Sequence, residues 1–277
     1  MFELNRLYNL DCMEAMKEIP DKFFEVAITD PPYGIGIDGQ RLNINKNPKH
    51  SRKAHEKKDW DKAIPSAEYF RELERVSVNQ IIWGGNYFVE HLRTGTKGWI
   101  VWDKGQHGLS MSDCELAYTT FQKPTRIVVI NRAELQKDHT FHPTQKPIRL
   151  YEWVIQNYTA AGDKILDTHA GSGACVRAAY RTGHDFLGFE IEKDYFTKAD
   201  ERLRDEMAQM RFDFLFGGGG IQKHRRKRRG SRRHKIKRTL KTEKRKTKND
   251  RFGSGNPKRS SRTQLKLKPS NSIRRVR

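Results

Sequence analysis

Apolar positions along the chain follow two rhythms, one of short β-branched runs and one spaced by threes and fours. Residues 24–29 (Phe-Glu-Val-Ala-Ile-Thr) make a run of strand type. It stops at Asp30-Pro31-Pro32, because two prolines cannot continue a central strand. Similar runs at 80–83, 99–102, 116–121, 126–130, 164–167 and 186–190 predict further strands. Helical spacing marks 9–19, closed by Pro20 and Asp21, and 66–76, with Tyr69, Phe70, Leu73 and Val76 on one side. It also marks 147–158, opened by Pro147 and carrying Leu150, Trp153, Val154 and Tyr158, then 174–181 and 193 to about 210. Residues 34–60 lack a period and are rich in Lys, His and Asn, which predicts a long, mobile, basic loop. Strands alternating with helices predict an α/β fold with a mostly parallel sheet covered on both faces.

Charge changes the picture at the C-terminal end. The chain has 277 residues and a formal net charge of +21. Residues 217–277 hold 25 of the 55 Lys and Arg and 2 of the 34 acids, a net of +23, leaving −2 for residues 1–216. Four glycines open this stretch, and its low complexity gives it too few apolar residues for a core. The boundary is therefore placed at Phe216, with a tail at 217–277 that is expected to be disordered. The tail has three readings: a phosphate-binding arm, a solvated extension, or an out-of-frame or fused segment. Cys12, Cys114 and Cys175 are odd in number and far apart, so neither a disulfide framework nor a metal site is expected. No apolar run approaches 18 residues and no signal peptide opens the chain, so a cytoplasmic protein without a membrane partner is expected.

Three constellations carry candidate chemistry. The first is Asp30-Pro31-Pro32-Tyr33-Gly34 directly after a strand. An exocyclic base amine is a poor nucleophile because its lone pair is delocalised into the ring. Acceptors aimed at its two N–H bonds draw the nitrogen toward tetrahedral geometry. Asp30 offers a carboxylate for this, and Pro31 a carbonyl held by fixed φ angles. Tyr33, following Pro32, offers a face on which an extruded base can stack. A plain strand-ending turn is the alternative. The second is Asp167-Thr168-His169-Ala170-Gly171-Ser172-Gly173, where a strand ends in an acid and a Gly-x-Gly turn opens a helix. Glu190 closes the next strand, as an acid that binds ribose hydroxyls would. Neither the third glycine of a dinucleotide fingerprint nor a P-loop Lys is present, which favours a nucleoside cofactor without a pyrophosphate. The third is His142-Pro143-Thr144-Gln145-Lys146-Pro147, whose donors at a helix start suit a carboxylate, or simply cap the helix.

Together with Asn9-Leu10-Asp11-Cys12, these motifs resemble the amino-directed (N6-adenine/N4-cytosine) DNA methyltransferases. Their order is that of the β group, and the type that of small bacterial and phage members. The phrases at 83–88, 98–104 and 112–118 are similar to those members as well, and the resemblance spans roughly residues 5–210. It implies the Rossmann-like S-adenosylmethionine-dependent methyltransferase fold, with a seven-stranded sheet holding one antiparallel strand. A catalytic half at 1–141 would precede a cofactor-binding half at 142–216. The implied catalytic positions are Asp30, Pro31, Pro32 and Tyr33. The implied S-adenosyl-L-methionine positions are Asp11 beside the adenine, Lys146 near the methionine carboxylate, and Asp167, Thr168, Ala170, Gly171, Ser172, Gly173 and Glu190. Thr168-His169 stands where the family commonly has Pro-Phe. In the absence of a large target-recognition domain, Lys46, Lys49, Arg52, Lys53, Lys57 and Lys58 of the 34–60 loop become the candidate DNA contacts. The implied function is site-specific methylation of the adenine amine in double-stranded DNA, without a metal, by a monomer or homodimer. A cognate restriction endonuclease is a candidate partner. Cytosine N4, RNA or protein-amide methylation and non-catalytic nucleic-acid binding are the alternatives.

Overall fold

The chain enters its sheet through β1 (Arg6–Tyr8), an edge strand paired parallel to the last strand of the fold. This is a computed structural model, and it describes residues 2–38, 57–92, 96–108, 112–131, 134–135 and 138–216. α1 (Cys12–Lys17) is shorter than the predicted 9–19. Asp11 takes the N-cap position and accepts the Met13 N–H at 2.7 Å, so residues 9–11 stay outside the helix. β2 (Phe24–Thr29) has the predicted bounds. α2 (Ala67–Val76) runs directly into β3 (Ser77–Trp83), which begins three residues before its apolar run. Those residues join the strand because parallel pairing with β2 starts at Phe24 and Ser77.

A 3₁₀ turn (Gly85–Tyr87) follows, then β4 (Trp99–Asp103), β5 (Cys114–Thr119) and β6 (Arg126–Val129). β5 lies two residues earlier than the predicted 116–121. Its polar start, Glu115, is held in place by two lysines, which an apolar-run reading does not foresee. The fold continues through α3 (Ile148–Tyr158), β7 (Ile165–Asp167), α4 (Ala174–Arg181) and β8 (Phe186–Phe189) to α5 (Lys193–Phe216).

The sheet order is β1-β8-β7-β2-β3-β5-β4-β6, and β5 alone runs antiparallel to its neighbours. Eight strands replace the expected seven. The added one is β1, too short to imprint a period on the sequence. Alternate side chains face opposite sides of a strand. Thus Ala27, Ile82, Leu166 and Leu187 bury against α1 and α2 in one core. Val26, Ile28, Ile81, Ile165 and Phe186 bury against α3 and α4 in the other. This two-faced burial explains why the central strands read as unbroken apolar runs.

Candidate active site

β2 and β7 are neighbours, but the chain leaves β2 for β3 on one side and β7 for β8 on the other. A crevice opens at the carboxyl ends of the strands where a parallel sheet reverses direction in this way. Asp30 follows β2 and the 168–173 turn follows β7, so the reversal brings the first two sequence constellations together. One cavity is bordered by Asp30, Pro32, Lys146, His169, Gly171 and Glu190. A second is bordered by Asp11, Met13, Pro32, Thr168, His169 and Glu190. Pro32, His169, Glu190 and Ile191 therefore form the wall common to both.

Asp30 does not stand alone. Its Oδ1 accepts the Tyr33 hydroxyl at 2.6 Å, and its Oδ2 accepts Lys146 Nζ at 2.5 Å. Burial pushes the Asp30 pKa up, and the Lys146 cation pulls against that rise without cancelling it. Lys146 is 2 % exposed at its side chain, and its Nζ also lies 3.1 Å from the Tyr33 hydroxyl and 3.0 Å from Glu115 Oε2. Burial works against its charge, but Asp30 and Glu115 outweigh it and hold the ammonium protonated. Burial likewise raises Glu115, yet Lys146 and Lys104 together bring it down to about 2.

The Tyr33 ring stacks on Tyr87, with centroids 4.9 Å apart and planes 16° apart. Gly84, at φ 72°, lies so close that a Cβ there would fall 2.1 Å from the Tyr33 ring. Tyr33 is not among the residues bordering the first cavity, so its contact with that space runs through the Asp30 carboxylate. Pro31 is buried behind it.

On the opposite wall, Glu190 Oε2 accepts the Gly171 N–H at 2.7 Å and Oε1 accepts the Glu192 N–H at 2.9 Å. Burial drives its pKa up to about 7 against these bonds. Each oxygen keeps a lone pair for a further donor. Ala170 and Ser172 border the first cavity, and Thr168 the second. Two of the predicted cofactor residues border neither cavity. Asp167 is buried under the turn, where its Oδ1 accepts the His169 N–H at 3.2 Å and burial raises its pKa to about 8. Gly173 is the N-cap of α4 at φ 72°, and a Cβ there would meet Ala199 Cβ at 3.2 Å. Thr168 Oγ1 lies 2.7 Å from both Thr29 Oγ1 and the Tyr69 hydroxyl, and 3.0 Å from His169 Nδ1. Burial lowers the His169 pKa to about 4, so the ring is neutral near pH 7.

Of the candidate DNA contacts, Lys46, Lys49, Arg52 and Lys53 lie outside the described residues. Lys57 is exposed, 3.5 Å from Asp59. Lys58 is turned inward, 2.7 Å from Asp194 and 3.4 Å from Glu192, with Nζ over the Tyr195 ring. Three neighbouring residues escaped the sequence reading. Trp60 borders the first cavity and stacks on His142 at 5.3 Å. Asp61, fully buried, accepts the Gly34 and Ile37 N–H groups at 2.8 Å each, tying the loop's two ends. Glu115 reaches Lys146 from β5, and an acid inside an apolar run was its only signal. Among the described residues no His, Cys, Asp or Glu group is placed to hold a metal, and no helix is long and apolar enough to cross a membrane.

A family model described as DNA methylase matches residues 82–201. Over that segment the chain is similar to DNA methylases. The type II methyltransferase M.HinfI of Haemophilus influenzae is 25 % identical over 251 residues, covering 73 % of this chain and 69 % of that protein. M.HpaI of Haemophilus parainfluenzae is 26 % identical over 245 residues, covering 73 % and 74 %. The methylase fold itself also matches a crystal structure of an M1.HpyAVI–SAM complex, with a TM-score of 0.52 and 22 % identity. That match covers 71 % of this chain and 98 % of the other.

Proposed function

We propose that the chain transfers a methyl group from S-adenosylmethionine to the N6 amine of adenine at specific sites in double-stranded DNA. One observation carries this reading: the Asp30 carboxylate and the Gly171 turn border a single cavity at the switch point of the sheet. The reaction needs an amine acceptor and a nucleoside-binding turn beside one space, and the shared cavity supports that reading.

The residues present fit such a cofactor. Glu190 offers a free lone pair on each oxygen for ribose hydroxyls, in the wall shared by both cavities. Asp11 borders the second cavity, where an adenine ring would lie. Thr144, Gln145 and Ser172 border the first, where the amino-acid end would lie. When bound, the cofactor supplies an electrophilic methyl on a positively charged sulfur.

Asp30 accepts one N–H of the target amine and Pro31 its other, freeing the nitrogen lone pair for in-line attack. The carbon–nitrogen bond forms as the carbon–sulfur bond breaks, and the surplus amine proton leaves through the Asp30 side. Each Asp30 oxygen already accepts one donor and has a second lone pair for the substrate. Tyr33 keeps the carboxylate oriented by its hydroxyl, and its stack on Tyr87 fixes the ring. Adenine is preferred to cytosine because Asp30 stands where cytosine-directed relatives more often have Ser. The setting that fits the type II relatives is the cytoplasm of a bacterium or infected host, beside a cognate endonuclease.

Transfer of tritium from labelled cofactor to unmethylated DNA, with RNA and protein as parallel acceptors, tests the reading. Label confined to DNA, as methyladenine on hydrolysis, is the expected result. Label confined to RNA or protein overturns it, and methylcytosine redirects it to the N4 amine.

A further inference from the structure

Around Asp30 runs a row of alternating charges. Lys104 Nζ lies 2.8 Å from Glu115 Oε1, and Glu115 Oε2 lies 3.0 Å from Lys146 Nζ. Lys146 Nζ then lies 2.5 Å from Asp30 Oδ2, and Asp30 Oδ1 accepts from Tyr33. The Lys146 ammonium has three protons and three acceptors in range: Asp30, Glu115 and the Tyr33 hydroxyl. Glu115 belongs to β5, the antiparallel strand, and borders neither cavity, so substrate does not explain it.

A cation bonded to Asp30 at this distance competes with any amine for the same carboxylate. If Asp30 were its sole counter-ion, giving up that bond would strand a buried, uncompensated charge. With Glu115 on its other side the ammonium has a second carboxylate, itself fixed by Lys104.

We propose that Glu115 is a positioning residue for Asp30: it shares the Lys146 ammonium, so that the cation is ceded to Glu115 when the N–H groups of the target amine claim Asp30. The inference rests on the reading that Asp30 accepts the target amine. It gives Lys146 a role at the amine acceptor, in place of the cofactor carboxylate that the sequence resemblance implied.

The titration of Asp30 gives the pair a signature. The groups that face it are Lys146, Glu115, Tyr33, Tyr151 and Asp167. Lys146 lowers the Asp30 pKa and Glu115 raises it. Removing Glu115's charge therefore moves the acid limb of the rate profile to lower pH. Removing Lys146's charge moves it to higher pH.

The test uses the full chain with Glu115→Gln and, separately, Lys146→Met. Cofactor affinity is read by calorimetry, methyl transfer to DNA across pH, and the Asp30 carboxyl by ¹³C NMR titration. For Glu115→Gln the expected result is unchanged cofactor affinity, kcat/KM for DNA down by roughly tenfold or more, and an acid limb shifted to lower pH. Lys146→Met shifts the limb the opposite way. Glu115→Asp, which keeps the charge, recovers part of the loss.

An unchanged rate and limb in Glu115→Gln overturns the proposal. So does a parallel loss of cofactor affinity and rate, which marks Glu115 as structural. Should Lys146→Met fail to fold, Glu115→Gln decides alone. A parent chain that transfers no methyl group to DNA sinks the proposed function and this inference together. An active parent with an indifferent Glu115→Gln sinks this inference only.

Discussion

At the scale of single residues, two carboxylates with different surroundings border the first cavity. Asp30 is held by a cation and a phenol, whereas Glu190 is held by backbone N–H groups. In the proposed function they divide the work accordingly, one toward the substrate amine and the other toward ribose. Asp30→Ala removes one amine acceptor and lowers methyl transfer by about 10²–10³-fold or more, while calorimetry still detects cofactor binding. Equal loss of both would make Asp30 structural. Glu190→Ala has the converse effect, raising the cofactor Kd by about tenfold or more as two ribose hydrogen bonds vanish. Equilibrium binding measures it, and an unchanged Kd removes Glu190 from the site. Both acids were legible in the sequence because each ends a strand at a sharp turn. Lys146 was legible as a candidate position, but not as a partner of Asp30. The two are 116 residues apart, and only the sheet order brings them together. The partners of Glu115 were hidden for the same reason.

Elements determine how these groups are presented, and turns matter more than strands. The turn at Gly84 packs its backbone against the Tyr33 ring at a positive φ. Gly84→Ala adds a left-handed penalty of about 1–2 kcal/mol to a clash with that ring. It should lower the melting temperature and weaken methyl transfer by displacing Tyr33, as thermal unfolding and rate assays would show. A stable, fully active variant contradicts the packing described.

The strand end at Asp167 carries a pH signature. Its pKa rises from the model-peptide value of 3.8 to about 8 on folding, so the folded state binds more protons across that interval. Its contribution to stability is complete below pH ~4 and is lost as pH rises toward ~8. Asp167→Asn should therefore gain stability relative to the parent between pH 5 and 8 in urea titrations, and a gap that does not change with pH would refute this. Long elements such as β2 and α4 were readable to the residue because apolar period and breakers agreed. β1 and the polar start of β3 were not, since pairing with neighbours defines them.

Across the whole molecule, charge is sharply divided along the sequence. Residues 1–216 are near neutral, and residues 217–277 carry a net +23. A basic arm of that kind neutralises phosphates and releases counterions, so its effect weakens steeply with salt. Removing residues 217–277 should lower nonspecific DNA affinity and flatten its salt dependence while leaving the chemistry at saturating DNA in place. Filter binding from low to physiological salt checks this, and an unaltered slope excludes the arm.

Fold class was legible at this scale from alternating strands and helices alone. The site was legible because three motifs kept their order, and a cleft at the reversal between β2 and β7 is what such an order builds. Which DNA sequence is read was not legible, since four of the six candidate contacts fall at 46–53, outside the described residues. The central claim is most directly tested by mass spectrometry of nucleosides from the DNA of methylase-deficient cells expressing this chain. The account predicts N6-methyladenine with the parent chain and none with Asp30→Ala. DNA free of methylated amines in cells holding folded parent protein, or equal methylation with Asp30→Ala, would contradict it.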